Sequence, residues 1–165
     1  MVGESHIANY TGMIDHVYVT NTFDQERPKA SKKVVEAILE SDMVVLGPGS
    51  LFTSILPNLM IDEIGKAILE TKAQVAYVCN IMTQRGETEH FTDSDHVAVL
   101  HKHLGEKFID TVLVNINQVP AAYMNSNKFD EYLVQVEHDF KGVALASSPS
   151  NFFRFLKAGQ WRCLS

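Results

Sequence analysis

Residues Met43 to Leu59 read MVVLGPGSLFTSILPNL, and this stretch decides the fold. Four apolar, partly β-branched residues (Met43–Leu46) have the length and composition of a buried strand. They run directly into Gly47-Pro48-Gly49-Ser50. Gly47 and Gly49 offer φ > 0 and close backbone approach. Ser50, Thr53 and Ser54 then place three hydroxyls at the start of a short helix, where free N–H groups favour an anion. Pro57 ends that helix and opens another. A strand feeding a small-residue turn and a helix start is the physics of an anion cradle. No Gly-Lys-Ser/Thr follows, so it is not a Walker A loop, and Phe52 stands where the dinucleotide fingerprint needs its third glycine. A tight strand-to-helix turn would also demand small residues. The hydroxyls and the neighbouring rim favour a site.

The same pattern recurs on the C-terminal side. Val75-Ala76-Tyr77-Val78-Cys79 leads into Asn80, Thr83 and Gln84, and Thr111-Val112-Leu113-Val114 leads into Asn115, Asn117 and Gln118. Between the strands lie helical patterns. One follows Ser31 and turns Val34, Val35 and Ile38 inward; a second is capped by Asn58 and buries Ile61, Ile64, Ile68 and Leu69. A third opens on Thr92 with Asp95 as a capping box, buries Val97, Leu100 and Leu104, and stops at Gly105. Ile14–Val19 and Tyr132–Val136 read as two further strands. Strand–helix alternation predicts an α/β, Rossmann-like domain over 1–165, with a mostly parallel sheet and helices on both faces. In such a sheet the carboxyl ends of all strands share one edge, which brings the three polar clusters to one rim.

Composition excludes several classes. With 14 Lys+Arg against 20 Asp+Glu, the formal charge of −6 makes nucleic acid a poor partner. No apolar run approaches a membrane span, and MVGESHIANY carries no signal-peptide pattern, which predicts a cytoplasmic protein. Two cysteines, Cys79 and Cys163, are too few for a disulfide framework and fit a reducing compartment.

The segment Asn80–His96 (NIMTQRGETEHFTDSDH) is long and polar for an α/β loop. Asn80, Thr83 and Gln84 suit hydrogen bonding to a base or sugar. Glu87 and Asp95 suit sugar hydroxyls or a hydrated Mg²⁺; helix capping and solvated charge are the alternative for the acidic residues, Asp93 included. Asn115 ends a strand at the rim, and Tyr123 offers a ring for stacking or a hydroxyl for hydrogen bonding. His96, His101 and His103 are spaced by five and two, so they share no i, i+4 face and read as exposed helical residues rather than metal ligands. Cys79 reads as a small core residue, and no catalytic triad signature is present.

VLGPGSLFTSILPNL, YVCNIMTQRGETEHFTDSDHV, the later VLVN with its following Pro and Tyr, and VEHDF closely resemble the bacterial gluconeogenesis-factor (YvcK-like) proteins of the CofD-like superfamily. The resemblance implies a cytoplasmic, UDP-sugar-binding regulatory protein supporting cell shape and growth on gluconeogenic carbon sources, with no settled enzymatic activity. The transferase branch of the superfamily implies an alternative, the transfer of a phospholactyl group from a guanylylated donor with Mg²⁺. By this match Gly47, Pro48, Gly49, Ser50, Thr53 and Ser54 are ligand-loop positions. Asn80, Thr83, Gln84, Glu87 and Thr88 form a second wall, and Tyr123 matches a tyrosine implicated in UDP-sugar binding. The resemblance also implies that the chain corresponds to the second half of the family's domain, without the glycine-rich GGGTG-like opening, and that residues 150–165 form an atypical tail. A second copy is a candidate to complete the pocket.

Overall fold

A computed structural model describes residues 13–120, 132–139, 141–143 and 154–156, with residues 132, 133 and 154–156 as backbone. The elements are α1 (Lys32–Glu40), β1 (Met43–Leu46), a wide helical turn (Leu51–Ile55) continuing into α2 (Leu56–Leu59), and α3 (Asp62–Glu70). They are followed by β2 (Gln74–Val78), β3 (Met82–Gln84), α4 (Asp93–Leu104), β4 (Thr111–Asn115), β5 (Tyr132–Gln135) and β6 (Arg154–Leu156). Strands β1, β2, β4 and β6 form a parallel sheet in that order. This is the α/β architecture expected from the alternation of apolar runs and helical stripes.

Register explains the core. Leu46 pairs with Tyr77, and Tyr77 with Val112, so Val44, Leu46, Val75, Tyr77, Val112 and Val114 point to one face. They meet Leu56, Leu59, Ile68, Val97 and Leu100 in a single cluster. The two crossovers β1→β2 and β2→β4 step in the same direction across the sheet. Right-handed connections therefore put α2, α3 and α4 on that same face. The helices expected on the second face do not appear among the described residues.

Four local expectations change. Ile14–Val19 is not a strand. It lies against α4 instead, where Val17 N–H donates to His103 Nε2 (3.2 Å), His16 stacks on His103 and Asp15 pairs with Lys102. Asn58 does not cap α3. It sits inside α2 and donates to the Ser54 carbonyl (2.7 Å), while α3 starts after Ile61. Helix α1 forms after Ser31 as expected, but the serine side chain makes no capping bond and no α1 residue is fully buried. Tyr132–Gln135 is a strand that leaves the parallel sheet and pairs antiparallel with β3. The sequence reading assigned no element to the tail, yet Arg154–Leu156 pairs with β4; three residues are too short for a periodic signal.

The capping box is complete. Thr92 Oγ1 accepts the Asp95 N–H, and the Asp95 carboxylate accepts the Thr92 N–H. Gly105 closes α4 in the left-handed region at φ 80°. No helix among the described residues is long and apolar enough to cross a membrane.

Candidate ligand site at the carboxyl edge

The loop after β1 turns on one glycine at positive φ. Gly47 adopts φ +90°, and a Cβ there would lie 3.0 Å from the Val78 carbonyl oxygen and 3.3 Å from Ile55 Cδ1. Gly49 differs from expectation. Its φ is outside the left-handed region, and the atoms nearest a Cβ lie at ordinary contact distances of 3.4–4.0 Å. Gly49 is thus free of the backbone constraint that Gly47 meets. Phe52, at the missing third glycine, is buried and packs edge-on against Phe91 with centroids 6.2 Å apart. A large side chain there anchors the loop to the second wall.

Ser50 is the hub. Its carbonyl accepts both the Ser54 and Ile55 N–H groups (3.0 Å each), the second being the wide turn that opens the helix. Its Oγ accepts from the Thr53 N–H (3.3 Å) and the Thr53 hydroxyl (2.6 Å) and donates to Glu87 Oε2 (2.5 Å). Residues 37 positions apart are thereby joined at the rim. Ser54 is exposed beside them, as is Pro48.

The second wall divides into exposed and buried members. Thr83 and Thr88 are buried. Between β3 and β5 the register slips, so that β5 carries one extra residue. Thr83 Oγ1 fills the gap, donating to the Val134 carbonyl and accepting its N–H (3.2 Å each). Thr88 Oγ1 accepts the Gln84 N–H (2.9 Å) and fixes the turn before Phe91. Asn80 and Gln84 remain partly exposed. The Asp95 carboxylate is engaged by Thr92 in the capping box. Asn115 closes its own loop: its amide donates to the Asn117 carbonyl (2.9 Å) and its Oδ1 accepts the Asn117 N–H. Tyr123 lies outside the described residues. The structure therefore brings together Ser50, Thr53 and Glu87. Thr83, Thr88 and Asn115 make internal bonds.

Three features escaped the sequence reading. Gln135 spans β5 and the third loop, accepting the Val119 N–H and donating to the Asn117 carbonyl, both at 2.9 Å. Asp93 is fully buried rather than solvated. Its carboxylate accepts from the Ser94 N–H (2.9 Å), the Asp139 N–H (2.8 Å) and His138 Nδ1 (3.1 Å). The VEHDF segment was the available signal, because it supplies both His138 and Asp139. The histidines of α4 are not exposed: His96 and His101 are buried and His103 is partly so. His96 Nδ1 donates to the Thr92 carbonyl (2.7 Å), and its ring meets Phe91 edge-on. Burial lowers the pKa of all three histidines, His101 to about 4. Each ring has its own cover: His103 meets His16 and Val17, His96 meets Phe91, and His101 meets Phe108 and Ile109. Burial, with the Asp93 charge second, pushes the Cys79 thiol up to about 12. That is the behaviour of a core cysteine.

Among the described residues no three His, Cys, Asp or Glu side chains converge as a metal site. One carboxylate (Glu87) beside two hydroxyls does suit a Mg²⁺ that arrives with a nucleotide, since that ion keeps several waters and takes few protein ligands.

The family model described as "2-phospho-L-lactate transferase CofD" matches residues 1–149. A protein of Streptococcus pneumoniae serotype 4 named "Putative gluconeogenesis factor" is 68% identical over 162 residues, 96% of this chain and 50% of its own length. The "Gluconeogenesis factor" of Listeria monocytogenes is 44% identical over 86% of this chain and 41% of its own length. A crystal structure of a UPF0052-family protein from Bacillus halodurans superposes with a TM-score of 0.81 at 31% identity, covering 93% of this chain and 47% of that one. The chain thus spans about half the length of the relatives it matches.

Proposed function

We propose, because this chain belongs to the CofD family and resembles its gluconeogenesis factors, that it supplies the phosphate-contacting wall of a site for a UDP-sugar or related nucleotide. In this reading the ligand is sensed rather than converted. The protein acts in the cytoplasm as a regulator of cell shape and of growth on gluconeogenic carbon sources.

The observation that carries the reading is the Ser50–Thr53–Glu87 cluster at the end of β1. A loop that leaves the carboxyl edge of a parallel sheet and enters a helix presents N–H groups to an anion at the place where α/β folds bind ligands. Ser50 already donates to Glu87, so a phosphate entering here meets a carboxylate. Mg²⁺ bound with the nucleotide would supply the positive charge that lets the two approach. Ser50 and Thr53 then orient phosphate oxygens, and the partly exposed Asn80 and Gln84 offer amides to the sugar or base.

The test is calorimetric titration of the folded chain with UDP-N-acetylglucosamine, with and without Mg²⁺. Saturable binding, tighter with Mg²⁺ and leaving the ligand intact by mass spectrometry, is the expected result. A folded sample that gives no binding under either condition would refute the proposal for this chain. A second reading is favoured by the matched family's description as a 2-phospho-L-lactate transferase: transfer of a phospholactyl group, for which the sequence resemblance implies a guanylylated donor. Mg²⁺-dependent formation of the transferred product would replace the sensing role with this one.

A further inference from the structure

The Ile14–Val19 segment lies on α4 without regular structure of its own. Ile14 and Val17 pack against the core cluster, while Asp15, His16 and Tyr18 stay exposed. One partly buried ring ties the segment down. His103 Nδ1 lies 2.8 Å from the Val99 carbonyl, and its Nε2 lies 3.2 Å from the Val17 N–H. A carbonyl only accepts and a backbone N–H only donates. The proton therefore sits on Nδ1, the Nε2 lone pair receives Val17, and the ring is neutral. His16 stacks on the same ring with centroids 4.7 Å apart, and Phe52 of the β1 loop meets it edge-on at 6.4 Å. Phe52 brings no charge. The charged groups that face the ring are Lys102 on α4 and Asp15 on the segment, paired with each other at 2.5 Å.

We infer that Ile14–Val19 is a proton-released latch on α4, with His103 as its switch. A proton arriving at Nε2 turns the acceptor into a second N–H, so Val17 faces a donor and the bond is lost. The imidazolium so formed lies against His16, a second titratable ring, and beside Lys102; both oppose the added charge, while Asp15 attracts it. Burial is the largest influence and holds the His103 pKa below its ordinary 6.5; His16 and Lys102 act in the same direction, against the Val99 carbonyl and Asp15. Release of the segment opens the ring to water, where it takes a proton more readily. Docking is therefore full above about pH 6.5 and weakens as pH falls through the lower pKa of the docked state. The Asp15–Lys102 pair does not supply this dependence. The hydrogen bond and charge of Lys102 hold the Asp15 carboxyl below its usual range, so it stays ionised while the latch opens. No nucleotide takes part, so the latch and the ligand reading can fail separately.

Two measurements on the 165-residue chain test it. Nitrogen–proton NMR correlations at about pH 7.5 should show His103 as the Nδ1–H tautomer. Hydrogen exchange, corrected for its intrinsic pH dependence, should show the Val17 amide losing protection about tenfold or more between about pH 7.5 and 5, while the Tyr77 and Val112 amides of the sheet keep theirs. Neither reading needs a variant, so both hold even where a substitution disturbs folding. His103→Gln puts a carbonyl acceptor that cannot titrate near the Nε2 position, and Val17 should then stay protected at about pH 5. His103→Phe keeps an aromatic ring without the acceptor and should lower Val17 protection already at about pH 7.5. An Nε2–H tautomer, Val17 protection that does not change with pH, an equal loss in His103→Gln, or a loss shared by Tyr77 and Val112, which is global acid unfolding, would each overturn the inference.

Discussion

Replacing each glycine of the loop by alanine separates backbone constraint from ligand contact. At Gly47 two costs add. An L-residue at φ +90° pays about 1–2 kcal/mol for the left-handed region. The new methyl lies 3.0 Å from the Val78 carbonyl oxygen and 3.3 Å from Ile55 Cδ1. Overpacking of that kind adds about 1–3 kcal/mol. The carbonyl belongs to β2 and cannot swing away without loosening the strand, so Gly47→Ala should destabilise by about 2–5 kcal/mol. At Gly49 neither cost applies. The Cβ finds ordinary contact at 3.4 Å from Ser54 Cβ, and alanine restricts the unfolded chain by about 0.4–1 kcal/mol in favour of folding. Gly49→Ala should thus be neutral or slightly stabilising. Urea unfolding followed by circular dichroism measures both; with a slope of about 2 kcal/mol/M, Gly47→Ala should move the midpoint down by about 1–2.5 M. Equal midpoints for the two variants would refute the reasoning. Calorimetry on the same samples then reads the site: loss of nucleotide binding in a fully stable Gly49→Ala protein would place the ligand against that backbone.

Three further outcomes follow from burial. Asp93→Ala leaves the Ser94 and Asp139 N–H groups and His138 Nδ1 without their shared acceptor, and should cost about 3–5 kcal/mol in urea unfolding; a loss below about 1 kcal/mol would mean that water replaces the carboxylate. His101 is held neutral by burial, with Lys107 second, and its Nε2 accepts the Ile109 N–H at 3.4 Å. Its folded pKa of about 4 lies below the ordinary 6.5, so the unfolded chain binds the extra proton, and stability is full above pH 6.5 and falls as pH drops toward 4. The loss is at most about 3 kcal/mol, and His101→Gln should flatten the dependence of the urea midpoint on pH between about 7 and 5. Cys79, with its thiol near 12, should resist iodoacetamide at about pH 8 while the protein is folded and react after unfolding, as peptide mass spectrometry would show.

Much of the candidate site was legible because its signals are local. Gly47 precedes a helix whose hydroxyl cap, Ser50, lies three residues before Thr53, and that spacing alone predicts the contact. The link from Ser50 to Glu87 was not legible, since nothing within either segment encodes a partner 37 residues away. Thr83 shows the converse. It reads as a ligand-facing hydroxyl at a strand end, yet its environment is set by a register slip against β5 that no single segment records.

The sequence by itself determined the alternation of β1, β2 and β4 with helices, the parallel pairing of those strands, the capping box at Thr92 and the glycine stop at Gly105. Each of these depends on apolar period or cap chemistry within a few residues of chain. Only the tertiary structure decided that Ile14–Val19 lies across α4, that the histidines of that helix are buried, that Asp93 is held by the Val136–Asp139 segment, and that Arg154–Leu156 pairs with β4. These arrangements depend on which surfaces meet after the chain closes long loops. That choice follows from the total burial and hydrogen bonding of the assembled fold, which no local pattern carries.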